Sequence, residues 1–180
     1  MPTTPTRPHR FGPAAPRSVA EGGTDDSPRV TAELGVRSLS EDAQPLLDRA
    51  IEGLARAASE GVLAEYDVFV TGETFTTGSA ASATAVGRDL SSRIADIRDW
   101  ATMAGATVAP YFQLERVESK FTGDRYTQVR FPTLCLTEYH DGELAFVAPA
   151  RLDGELVDVL DRIETLGKSS DGRVVAPVPE

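Results

Sequence analysis

The stretch from Arg130 to Leu144 constrains the fold most. Phe131 precedes Pro132-Thr133, Leu134-Cys135-Leu136 is a short apolar run, and His140-Asp141-Gly142 is a polar turn that leads into a second apolar run beginning at Leu144. Proline has no N–H to give to a ladder and fixes its own φ, so Pro132 suits the start of a strand and not its middle. A glycine after two polar residues lets the chain reverse tightly. The spacing therefore predicts a hairpin of Thr133–Tyr139 with Leu144–Ala148.

Periodicity places the other elements. Val30, Ala32, Leu34 and Val36 alternate and predict a strand, and Ser38 to Asp42 is a polar loop supplying helix caps, Ser40 or Asp42. Leu46, Leu47, Ala50, Ile51, Leu54 and Ala57 recur at helical spacing, with Pro45 in the first turn, where its missing N–H is harmless. Tyr66 to Thr71 predicts a second strand, and the Thr-, Ser- and Gly-rich segment from Gly72 to Gly87 a long loop. Leu90, Ile94, Ile97, Trp100 and Ala104 mark a second helix with Trp100 in the core. Val108–Ser119 and Arg125–Phe131 predict a further hairpin turning at Thr122-Gly123-Asp124. Asp153 is the expected cap of a last helix carrying Leu156, Val159, Leu160, Ile163 and Leu166. Residues 1–28, with Pro2, Pro5, Pro8, Pro13, Pro16 and Pro28 and no apolar periodicity, are expected to be a disordered tail. Residues 167–180 are expected to be a flexible C-terminal tail, leaving one α/β domain over residues 29–166.

With the hairpin over residues 109–131 set aside, the order β-α-β-α-β-β-α, the Phe131-Pro132-Thr133 start and the terminal amphipathic helix resemble a thioredoxin-like domain. The resemblance implies a three-layer sandwich: a mixed sheet with parallel first strands, an antiparallel hairpin at one edge and an inserted hairpin. It also implies a cis Phe131–Pro132 bond lining a groove. The redox feature of that family is missing, because Cys135 is the only cysteine and no Cys-x-x-Cys occurs. Where such a protein carries its nucleophilic cysteine, this chain has Ser38, Ser40, Glu41, Asp42 and Ala43. Residues 29–166 also resemble uncharacterised proteins of salt-loving archaea, a resemblance that brings no activity with it.

The net charge of −10 falls outside the first 28 residues, where Arg7, Arg10 and Arg17 balance Glu21, Asp25 and Asp26. An acidic surface of this kind, with Lys120 and Lys168 the only lysines, suits solubility in high salt and gives the archaeal, halophilic expectation. It also argues against an anionic membrane surface and against nucleic acid as a partner. No apolar run reaches the roughly 18 residues of a membrane span and no signal-peptide core is present, so the expected location is cytoplasmic. One cysteine and two isolated histidines, His9 and His140, give no metal site. Neither a phosphate-binding glycine motif nor a nucleophile elbow occurs, so no cofactor is expected, and the chain reads as a non-enzyme.

Three readings follow. The first is a non-catalytic interaction or regulatory module with an unidentified protein partner, using backbone groups at Phe131, Pro132 and Thr133. The second is a nucleic-acid-associated regulator using the 109–131 hairpin, where Arg116, Lys120, Arg125 and Arg130 form the one basic cluster beside Tyr111, Phe112 and Tyr126. The third is a redox-sensing protein using Cys135, whose strand position opposite to Leu134 and Leu136 otherwise predicts a buried, unreactive thiol. Glu115, Glu118 and Glu138 are expected on a solvated face. A single thiol cannot complete a dithiol cycle through a mixed disulfide. The protein is therefore expected to reduce insulin no faster than its Cys135→Ser variant does.

Overall fold

Alternating side chains make Val30–Val36 a two-sided strand, β1, and the rest of the domain is arranged about it. The computed structural model describes residues 29–37, 43–77, 81–109, 111–118 and 125–168. The expected tail over 1–28, the loop 38–42, the turn at 122–124 and residues 169–180 lie outside them. β1 pairs in parallel with β2 (Glu65–Val70) and antiparallel with β6 (Leu134–His140), which continues into β7 (Glu143–Ala148). The four-stranded sheet has the order β2-β1-β6-β7, so the molecule is a mixed α/β domain with an antiparallel hairpin at one edge.

Each face of this sheet has its own core. Ala32, Leu34, Val36, Leu134 and Leu136 pack against Leu47, Ala50 and Leu54 of α1 (Gln44–Ser59) and Val159, Ile163 and Leu166 of α3 (Val159–Lys168). Gly53 lets these two helices touch: a Cβ there would overlap Ile163 Cγ2. On the other face Cys135 and Val147 meet Ile94, Ile97, Trp100 and Ala101 of α2 (Ala85–Met103). The second sheet, β3-β5-β4, joins that core through Phe75 and Val129. Its strands are β3 (Thr74–Thr77), β4 (Gln113–Glu118) and β5 (Arg125–Arg130). A two-stranded ribbon of β8 (Ala150–Leu152) and β9 (Glu155–Val157) precedes α3.

Several expectations change. The segment read as a long loop contains β3, held because Phe75 is buried and β3 pairs with β5, and α2 begins at Ala85, taking in Gly87. Thr84 caps it, its Oγ1 accepting from Gly87 N–H at 3.0 Å. Ala43 holds the cap position of α1 without a side-chain bond, and Pro45 lies in the first turn as expected. Leu156 belongs to β9 and is 49% exposed; the cap of α3 is Asp158, whose Oδ1 accepts from Leu160 N–H at 2.7 Å. Asp153 is instead in the β8–β9 turn, with φ 52°. Among the described residues the cis bond is Ala148–Pro149, and Phe131–Pro132 is trans.

Glu138, expected in solvent, is fully buried. It shares the parity of Leu134 and Leu136, so it points to the α3 layer, where Arg162 donates from Nε and Nη2 to its two carboxylate oxygens, both at 2.7 Å. The guanidinium also lies 4.1 Å from the Phe146 ring centre. Removing one partner of such a pair leaves an uncompensated buried charge, whereas removing both does not. Arg162→Leu is expected to lower the unfolding free energy by about 3–5 kcal/mol, and Glu138→Leu with Arg162→Leu to recover most of it, measured by urea unfolding.

Candidate nucleic-acid interface

The basic cluster of the sequence falls on the β4–β5 hairpin, and pairing divides it. Gln113 is opposite Arg130, Leu114 opposite Val129, Arg116 opposite Thr127 and Glu118 opposite Arg125. Residues directly opposite share a face. Arg116 therefore lies on the face of Leu114, Val129 and Phe75, beyond the buried part, and is exposed. Arg130 lies on the other face, half exposed, with Nη1 3.9 Å from Glu73 Oε1. Arg125 opens β5, and Lys120 lies outside the described residues. Of the aromatic residues grouped with them, Phe112 is buried and packs edge-on against Phe131 at 6.4 Å. Tyr111 and Tyr126 are half-buried.

The helices offer no more positive surface. On α1, exposed Arg49 and Arg56 are matched by Asp48, Glu52 and Glu60; on α2, exposed Arg88 and Arg98 are matched by Asp89, Asp96 and Asp99. On the hairpin, exposed Arg116 stands directly opposite Thr127 and not opposite a carboxylate.

Phe131, Pro132 and Thr133 join the two sheets. Phe131 is buried, its N–H donates to Glu73 O at 3.2 Å, and Thr133 O accepts from Arg37 N–H at 3.0 Å. Those two backbone groups are committed within the domain.

Cys135 stands opposite Gly35 in a polar cluster that the sequence reading missed. The Arg93 guanidinium of α2 pairs with Glu33 of β1, bonds Asp89 Oδ2 at 3.0 Å, and sits 4.8 Å from the Phe69 ring centre. Tyr139 donates its hydroxyl to Glu33 Oε2 at 2.9 Å. Burial pulls Arg93 down, but the Glu33 and Asp89 carboxylates outweigh it and raise its pKa. The available signal was parity: Glu33, Cys135 and Tyr139 all lie on the sheet face opposite to the aliphatic one. Among the described residues no group of His, Cys, Asp and Glu could hold a metal ion, and no helix is long and apolar enough to cross a membrane.

Burial, with a smaller contribution from the Glu33 charge and against that of Arg93, pushes the Cys135 thiol from near 9 up to about 12. The thiolate is thus suppressed at neutral pH. Because the folded pKa is the higher one, the native state holds a proton that the unfolded chain has lost. The stabilisation is complete below pH 9 and disappears as pH rises to about 12. Iodoacetamide is expected to label Cys135 at pH 8 only after unfolding in guanidinium. Over that alkaline window Cys135→Ser is expected to remove a slope of about 1.4 kcal/mol per pH unit from the stability curve.

Comparison with known proteins gives one family. No curated protein and no solved structure matches the chain. A family described as a helix-turn-helix domain matches residues 24–171. Among the described residues strands separate α1, α2 and α3 in chain order, so no two of these α-helices follow one another directly. Helix-turn-helix domains place a helix in the major groove of DNA, and this match overturns the expectation, drawn from the acidic charge, that nucleic acid is not a partner. Since the match spans well over half of the 180 residues, the chain belongs to this helix-turn-helix domain family.

Proposed function

We propose that the protein is a nucleic-acid-associated regulator, carried on a thioredoxin-like α/β domain that lacks the redox dithiol. The family match over residues 24–171 is the observation that carries the nucleic-acid part. The thioredoxin-like part is supported by the sheet order β2-β1-β6-β7, with β1 and β2 parallel, β6 and β7 antiparallel, and helices on both faces. The β4–β5 hairpin is the contact surface, with Arg116 and Arg125 reaching phosphates. The net charge of −10 opposes approach everywhere else, so contact is confined to a small surface and is electrostatic. It acts in the cytoplasm without a cofactor and without catalysis.

Two phosphate contacts give a log–log salt slope of about −1.8 on duplex DNA, shallower on single strands. The test is fluorescence anisotropy of the full chain with duplex and single-stranded probes across a salt series. Binding at low salt with a slope of that size, lost in Arg116→Glu with Arg125→Glu while the far-ultraviolet spectrum is unchanged, is the expected result. Binding that survives both substitutions would reject the hairpin as the surface. Absence of binding to either probe at the lowest salt would reject the nucleic-acid reading.

A further inference from the structure

β2 is the edge of the four-stranded sheet, and its outer side is open among the described residues. Ala64 N–H donates to Val30 O at 2.8 Å. Thr71 N–H at the other end donates to Val36 O at 2.8 Å, in step with the register of the pair, so Glu65, Asp67 and Phe69 turn their backbone groups to β1, and Tyr66, Val68 and Val70 turn theirs outward. The edge is not blunted by proline or lysine. Val68 and Val70, 42% and 45% exposed, lie beside half-buried Tyr66 on the α1 side. An apolar edge strand of this length is a template for another strand.

We propose that β2 is a self-association surface that pairs antiparallel with β2 of a second copy of this chain, joining two sheets into one across a two-fold axis at Val68. Charge selects both the occupant and the register. With the axis at Val68, Val68 faces Val68 of the second copy and Tyr66 faces its Val70. Asp67 then faces Phe69, and Glu65 faces Thr71, so no like charges are opposed. An axis at Asp67 sets Asp67 against Asp67, and one at Tyr66 sets Glu65 against Asp67; both arrangements are repulsive. An axis at Phe69 sets Glu65 against Glu73. The register at Val68 also makes the two Val68 residues a hydrogen-bonded pair, with Tyr66 and Val70 another, since all three turn their groups outward, and leaves Asp67 and Phe69 in the closer, non-bonded position. Arg29 Nη2, 3.6 Å from Glu65 Oε2, further neutralises this edge. Because each copy carries −10, added salt is expected to strengthen the pairing by screening repulsion between the two bodies.

The test uses the full chain. Sedimentation equilibrium and light scattering after size exclusion are expected to show a dimer that tightens with salt. Val68→Lys places two cations face to face and is expected to weaken it at least about tenfold, with an unchanged thermal transition. The register is read by cross-linking in a Cys135→Ser background. Val68→Cys brings equivalent thiols to a spacing a disulfide can bridge and is expected to oxidise to a covalent dimer. Val70→Cys, facing Tyr66, is not. A monomer at every salt and protein concentration would overturn the proposal. So would a dimer indifferent to Val68→Lys, or equal cross-linking at both positions.

Discussion

The structure depends on the two-sidedness of β1. This strand is paired on both edges, so its backbone is satisfied and only its side chains remain to be placed. Ala32, Leu34 and Val36 are at most 2% exposed and anchor the layer of α1 and α3. Glu33 points the other way and is tolerable there because α2 brings Arg93 to it and β6 brings the Tyr139 hydroxyl. A carboxylate in that place without such partners would oppose folding. The position of α2 over the sheet is thereby fixed by charge as well as by the packing of Ile94, Ile97 and Trp100.

Charge pairing of this kind explains what could and could not be read from the sequence. Strands and helices with a clean apolar period were legible: β1, α1, the β6–β7 hairpin and the core placement of Trp100 follow from spacing alone. Cys135 was legible as well, because alternation put it across the sheet from Leu134 and Leu136. Glu138 was not. Its parity matched those leucines, but a carboxylate was read as solvated, and the residue that neutralises it, Arg162, lies 24 positions later on another element. Short elements failed for a different reason. β3 has Phe75 as its one buried side chain, and β9 none, so neither carries a period; each exists because a neighbouring strand supplies hydrogen bonds.

The candidate basic cluster was legible only as a list. Arg116 and Arg130 are close in sequence terms, but the antiparallel register sends them to opposite faces. Charge summed over the whole chain misled in the other direction. A net value describes the far field and does not exclude a nucleic-acid partner, which the family match brings in.

Phe146 gives the domain a property that neither core has alone. On the edge strand β7 it touches Trp100 of α2, with ring centres 5.6 Å apart, and stacks beneath Arg162 of α3. The sheet otherwise separates the two helical layers. At this rim one aromatic ring reaches both, so a shift of α2 against the sheet changes the seat of the guanidinium that neutralises Glu138. The two layers thus share one side chain at the rim of the sheet, and a substitution at Phe146 removes a contact from each.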